Sequence, residues 1–120
     1  DHSLRLEVPY MIEVTIYKDS DSDHIIGFHT YGHAEYADAG YDIICSAVSI
    51  IITNTMNSID ELTDDLSEFH EKQEDGEMEF RIQGRPCDDT ELLFRSMMLG
   101  LDSIQKNYGK RYIRVNTKEV

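Results

Sequence analysis

Strand-like repeats of two residues alternate with helix-like repeats along this sequence, and their order restricts the fold. Repeats of two residues predict five strands, at residues 11–17, 25–31, 66–73, 77–83 and 112–115. Repeats of about 3.6 residues predict two helices, at residues 42–57 and 88–108. The resulting order, ββαββαβ, predicts an α+β fold in which an antiparallel or mixed sheet packs with two helices.

The helical repeats also predict which side of each helix is buried. On the first helix, that side carries Ile44, Val48, Ile51, Ile52 and Thr55. On the second helix, it carries Leu93, Met97, Leu101, Ile104 and Tyr108, with Leu92 and Met98 beside them. Methionines at helical spacing are typical of a core or a subunit interface, so we assign no chemistry to the second helix.

The length of 120 residues is enough for one domain with its own hydrophobic core, which we place at residues 11–120. Residues 1–10, DHSLRLEVPY, lack a starting methionine and differ in pattern from the rest of the chain. We interpret them as a cloning remnant or an upstream extension. We find no secretion signal and no apolar run of the roughly 20 residues that a membrane span needs, which predicts a cytoplasmic protein without a membrane partner.

The chain is strongly acidic, with 24 acidic and 11 basic residues and a formal net charge of −13. Nucleic acid is bound largely through Lys and Arg, so this balance argues against a nucleic-acid partner and favours a cationic one. The acidity is equally explained if it only keeps the protein in solution. The two cysteines, Cys45 and Cys87, lack the spacing of a zinc site or a disulfide framework, and we predict neither a metal nor a cofactor.

Cys45 stands at the predicted start of the first helix and is the candidate nucleophile. We predict Asp42 as the N-cap, which places Cys45 in the first turn, where unpaired backbone N–H groups and the helix dipole favour thiolate over thiol. Ser49 follows one turn later and is either a site-lining residue or a small packing residue. The alternative for Cys45 is a small buried apolar residue, the usual role of a free cysteine.

His33 is the candidate general base, because Gly32 beside it and the loop after it leave its ring free to approach Cys45. Three other histidines compete for this role: His24, His29 and His70. A metal site that uses His29 and His33 lacks further ligands at useful spacing. Asp42 is a candidate to orient His33 as the third member of a catalytic triad, either instead of capping the helix or in addition to it.

The segment GHAEYADAGYDIICSAVS, from Gly32 to Ser49, resembles the motif of a known family. GHA, a short loop and GYDIICSAVS are similar to the bacterial ribosomal-processing cysteine protease (Prp) family, and the resemblance extends from about Met11 to the end of the chain. It implies a cysteine endopeptidase in which Cys45 is the nucleophile and His33 the base.

The same resemblance implies a homodimer and a substrate. Members of the family remove a short N-terminal extension from large-subunit ribosomal protein twenty-seven, and the basic N-terminal peptide of a ribosomal protein fits an acidic enzyme. The resemblance also implies a mobile substrate loop from Ala34 to Tyr41. Gly32 and Gly40 lie near the two ends of that loop and allow backbone angles that other residues resist.

Two functions of other classes stay open from the sequence. The first is a non-catalytic acidic module that binds basic ribosomal segments, with Cys45 merely buried. The second is a thiol redox sensor, which requires Cys87 to lie close enough to Cys45 for a disulfide to form.

Overall fold

The structure, a computed structural model, describes residues 12–32, 39–72, 76–108 and 112–120, and for residues 39–42 it describes the backbone alone. Within these residues the chain forms five strands and two helices. The strands are β1 (Ile12–Lys18), β2 (Ile25–Tyr31), β3 (Ser67–Lys72), β4 (Glu77–Ile82) and β5 (Ile113–Glu119). The helices are α1 (Ala39–Leu62) and α2 (Asp88–Tyr108).

The strands form one mixed sheet in the order β3-β4-β2-β1-β5. β1 and β2 form the predicted antiparallel hairpin, in which Val14 pairs with Thr30. β4 is antiparallel to both β2 and β3, whereas β5 runs parallel to β1. The predicted α+β fold, a mixed sheet with two helices in the order ββαββαβ, is confirmed. β3 and β5 form the two edges of this sheet among the described residues.

One face of the sheet packs against α1 and α2 and forms the core. The buried side of β1 carries Ile12, Val14 and Ile16, as its period of two predicts. Phenylalanines from three elements meet at the centre. The ring of Phe28 stacks on that of Phe80 at 5.5 Å between centroids, and Phe94 of α2 meets Phe28 edge-on at 6.3 Å. Such aromatic pairs stabilise a core beyond the area they bury.

The first helix is longer than predicted at both ends. α1 begins at Ala39, three residues before Asp42, and ends at Leu62 rather than near Asn57. The prediction that Asp42 caps the helix is therefore wrong, because an N-cap residue precedes the first turn and Asp42 lies within it. Polar residues at either end can join a helix whose opposite side is buried, and the apolar repeat does not record them.

The second helix lies where the sequence predicts, and Met97, Leu101 and Ile104 of the predicted side are buried, but Leu92 and Tyr108 are not. Its buried residues are Thr90, Phe94, Met97, Leu101 and Ile104. Leu92 is 62% exposed and Tyr108 is 56% exposed, so their assignment to the packing side is wrong. The ring of Phe94 fills the space above Phe28 and Phe80, which turns that side of α2 toward the sheet.

The segment Ile43–Leu62 of α1 is long and apolar enough to cross a membrane by length and mean hydropathy alone. Polar residues such as Asn54 interrupt it, which is why the sequence shows no continuous apolar run. In the structure one side of the segment packs into the core through Ile44, Val48, Ile52 and Ile59, and 28% of its apolar window is buried.

On the opposite face of the sheet, Gly27 has no side chain, so Arg81 of β4 can contact Tyr17 of β1 across β2. Gly27 of β2 pairs with Arg81 on one side and with Tyr17 on the other. The Arg81 guanidinium passes over this position and lies 4.4 Å from the centroid of the Tyr17 ring. A side chain at residue 27 would also lie against the Phe80 carbonyl oxygen. Gly27 therefore allows the close approach of β2 and β4.

Candidate active site

A cavity of about 310 Å³ opens between α1 and one end of the sheet. At this end β2 and β3 finish while β1 and β4 begin. α1 contributes Cys45, Ser49 and Thr53 to the wall, and the sheet contributes Thr30 and Met78. A larger cavity of about 720 Å³ lies between α2 and β5, but neither a cysteine nor a histidine of the described residues lines it. The cavity beside Cys45 is therefore the candidate active site.

Cys45 is half-buried, because its side chain packs against the core and also lines this cavity. Cys45 is thus partly accessible to solvent, unlike a cysteine sealed among aliphatic side chains. Its place in the helix differs from the prediction, since it lies six residues after Ala39, in the second turn. Unpaired N–H groups and the dipole effect belong to the first turn. The start of the helix therefore offers Cys45 less stabilisation of a thiolate than the prediction assumes.

The backbone that leads to His33 also reaches this cavity. Gly32 lines it and has a φ of 100°, a left-handed value that favours glycine. His33 and Ala34 lie outside the described residues, so the predicted pairing of His33 with Cys45 stays a prediction. Gly32 nevertheless lies at the cavity, directly after the end of β2 and one residue before the candidate base.

Residues 34–38 of the predicted mobile loop lie outside the described residues, so the mobility of the loop stays a prediction, whereas its last residues are helical. The backbones of Gly40 and Tyr41 belong to the first turn of α1. The side chain of Asp42 lies outside the described residues, so its orienting role stays a prediction. Ser49 is exposed and lines the cavity one turn after Cys45.

None of the three competing histidines, His24, His29 and His70, lines the cavity. His29, however, pairs with a carboxylate that does. His29 Nε2 lies 2.7 Å from Glu77 Oε2 on the outer face of the sheet, and Glu77 also lines the cavity beside Cys45. This role of Glu77 is not visible in the sequence, because its partner stands 48 residues earlier in the chain. No group of three metal-binding side chains occurs among the described residues.

Acid should weaken the link between His29 and Glu77. The hydrogen bond from His29 lowers the pKa of Glu77 below its ordinary value of 4.5. The pair therefore contributes stability above pH 4.5 and loses that contribution as the pH falls through the lowered pKa. In an NMR titration, His29→Ala should raise the pKa of the Glu77 carboxyl toward 4.5, and His70→Ala should leave it unchanged. An equal effect of both substitutions would contradict this cause.

The two cysteines lie at opposite ends of α1. The Cys87 N–H donates to Asp65 Oδ2 at 2.9 Å, just beyond the C-terminal end of α1. Cys45 lies about 25 Å away along the axis, since a helix rises about 1.5 Å per residue up to Leu62. A disulfide requires Cα atoms within about 7 Å. The redox-sensor function, in which Cys87 resolves an oxidised Cys45, is therefore wrong.

Comparison with known proteins supports a protease. Residues 11–114 match the family model described as cysteine protease Prp. The ribosomal processing cysteine protease Prp of Staphylococcus aureus is 28% identical over 87 residues, which cover 72% of this chain and 81% of that protein. The protein of the same name from Bacillus subtilis is 28% identical over 112 residues, which cover 89% of this chain and 97% of that protein.

Solved structures agree with the sequence match. The crystal structure of the S. aureus protease Prp with a substrate peptide has a TM-score of 0.81 and 26% identity, covering 90% of this chain and 100% of that one. The same protease with a covalently linked product peptide has a TM-score of 0.79 and 27% identity over the same shares. The shared fold, the match over residues 11–114 and the thiol in an open cavity establish that this chain is a cysteine protease and belongs to the Prp family.

Proposed function

We propose that this protease removes the N-terminal extension of large-subunit ribosomal protein twenty-seven, with Cys45 as nucleophile and His33 as base. The observation that carries the proposal is the open cavity at which the Cys45 side chain and Gly32, the residue before His33, both lie. The relatives from S. aureus and B. subtilis, named as ribosomal processing proteases, support this substrate class.

The chemistry follows from a thiol and an imidazole acting in sequence. His33 takes the proton of the Cys45 thiol, and the sulfur attacks the carbonyl carbon of the scissile peptide bond. The oxyanion accepts hydrogen bonds from backbone N–H groups close to Cys45. His33 then protonates the leaving amine and activates the water that hydrolyses the thioester.

The charge of the enzyme favours a basic substrate. A net charge of −13 attracts a cationic peptide at long range and repels RNA. Among the described residues that line the cavity, Glu71 and Glu77 supply two carboxylates and Lys72 one cation. The proposed substrate is therefore an extended peptide with basic residues near the scissile bond.

The proposal includes a cytoplasmic homodimer, as the resemblance implies. Exposed apolar side chains on the outer side of both helices support a second copy as the partner: Ile43, Ile50 and Leu99. Light scattering should give twice the chain mass of 13.9 kDa, and a mass of one chain would contradict the dimer.

Cleavage of the whole substrate tests the proposed function. The ribosomal protein with its extension, incubated with the enzyme, should be cut once between the extension and the mature N-terminus, as intact-mass spectrometry would show. The mature protein without the extension serves as the control and should stay intact. Binding of the extended protein without cleavage would instead support the acidic binding module.

A further inference from the structure

β3 is an edge strand with an open side. Among the described residues it pairs with β4 and with no other strand. Its side chains are mostly exposed on both faces, which is unusual for a strand that continues a well-packed sheet. An edge of this kind presents unpaired backbone groups to which another strand can bind.

The register shows which backbone groups face outward. The Gln83 N–H donates to the Leu66 carbonyl at 2.8 Å, and the next pair along the ladder is Ser67 with Ile82. Hydrogen-bonded and non-hydrogen-bonded pairs alternate in an antiparallel ladder. The residues whose N–H and C=O groups point away from β4 are therefore Ser67, Phe69 and Glu71.

This open edge runs directly into the candidate active site. Glu71 and Lys72, at the end of β3, line the cavity that contains Cys45. Phe69 lies on the same face of the sheet as its partner Phe80, yet it is 47% exposed whereas Phe80 is 3% exposed. The helices thus cover β4 but leave the ring of Phe69 on β3 half-exposed, and this apolar surface is the Phe69 ledge.

We propose that the free edge of β3 binds the substrate peptide as an added strand and holds its scissile bond at Cys45. This inference rests on the proposed function and identifies how the same site holds its substrate. An extended peptide on this edge exchanges hydrogen bonds with the backbones of Phe69 and Glu71. Its side chains alternate between the Phe69 ledge and the outer face.

The charge of the edge agrees with a basic occupant. Glu68 and Glu71 lie on β3 and Glu77 begins β4, whereas Lys72 is the one cation on β3. Because backbone hydrogen bonds do not depend on side chains, the edge supplies affinity, and the ledge and carboxylates supply selectivity. The occupant is thus an extended, basic peptide.

Substitution at Phe69 separates the backbone contribution from the side chain. Proline removes the outward N–H of Phe69 and is tolerated on an edge strand, because that N–H does not bond to β4. Phe69→Ala removes the ring and keeps the N–H. We expect kcat/KM for the extension peptide to be about tenfold lower in Phe69→Pro than in Phe69→Ala. Equal values in the two variants would overturn the proposal.

Two further measurements keep the test independent of folding and of cleavage. The alkylation rate of Cys45 by iodoacetamide, measured in a Cys87→Ala background, should be the same in both Phe69 variants if the site stays intact. In Cys45→Ala protein, addition of the extension peptide should slow amide hydrogen exchange at Phe69 and Glu71 about tenfold or more. Unchanged exchange at both amides with the peptide bound would refute the added strand, even if the protein cleaves its substrate.

Discussion

Cys45→Ala should abolish peptide cleavage, with kcat/KM reduced by roughly 10⁴-fold or more, because removal of a nucleophile eliminates the covalent pathway. The side chain packs only partly against the core, so the variant should fold as the unsubstituted protein does. The measurement is the initial rate of cleavage of a peptide that spans the extension.

Cys87→Ala is the matched control for that result. Cys87 is exposed, and its thiol lies 3.5 Å from the hydroxyl of Thr90 near the far end of α1. It should retain full activity, because no step of the proposed mechanism involves it. If Cys87→Ala lost activity while Cys45→Ala kept it, the assignment of the nucleophile would be wrong.

Phe94→Ala should destabilise the protein by about 3–5 kcal/mol, the usual cost of deleting a buried aromatic ring and leaving a cavity. Phe94 is fully buried, and its ring contacts Phe28 at 6.3 Å and Phe80 at 6.2 Å between centroids. A loss of this size is a large part of the roughly 5–15 kcal/mol that stabilises a typical domain. Urea unfolding followed by circular dichroism measures it.

The neighbouring leucine provides the control for the core. Leu92 is 62% exposed on the same helix, so Leu92→Ala should change the free energy of unfolding by about 0.5 kcal/mol or less. A larger effect at Leu92 than at Phe94 would mean that Leu92, and not Phe94, packs against the sheet.

The strands follow from the sequence because their signal is local. Ile12, Val14 and Ile16 alternate with polar residues, and a period of two has one consistent burial pattern. The turn between β1 and β2 can equally be recognised from its residues, so the sequence predicts the hairpin and the order of elements. That β5 lies parallel to β1 at an edge joins residues about a hundred positions apart, for which a single sequence carries no local signal.

The helices illustrate where periodicity stops being sufficient. A repeat of about 3.6 residues establishes a helix, but neighbouring residues such as Leu93 and Phe94 compete for the buried side. The choice depends on the shape of the partner surface, and the rings of Phe28 and Phe80 favour Phe94. The start of α1 at Ala39 escapes prediction for a related reason, since a capping residue such as Asp42 is also acceptable within the first turn.

The candidate site shows the same difference between what local sequence patterns predict and what packing decides. The sequence by itself determined the element order and marked Cys45 as the candidate nucleophile, because a period and a motif are both local patterns along the chain. Only the tertiary structure decided that the Cys45 cavity lies at the end of β3 and that Glu77, which pairs with His29, lines the same cavity. It also decided that Cys87 lies too far from Cys45 to form a disulfide with it. Those relations depend on distances between residues remote in sequence, which packing sets and composition does not.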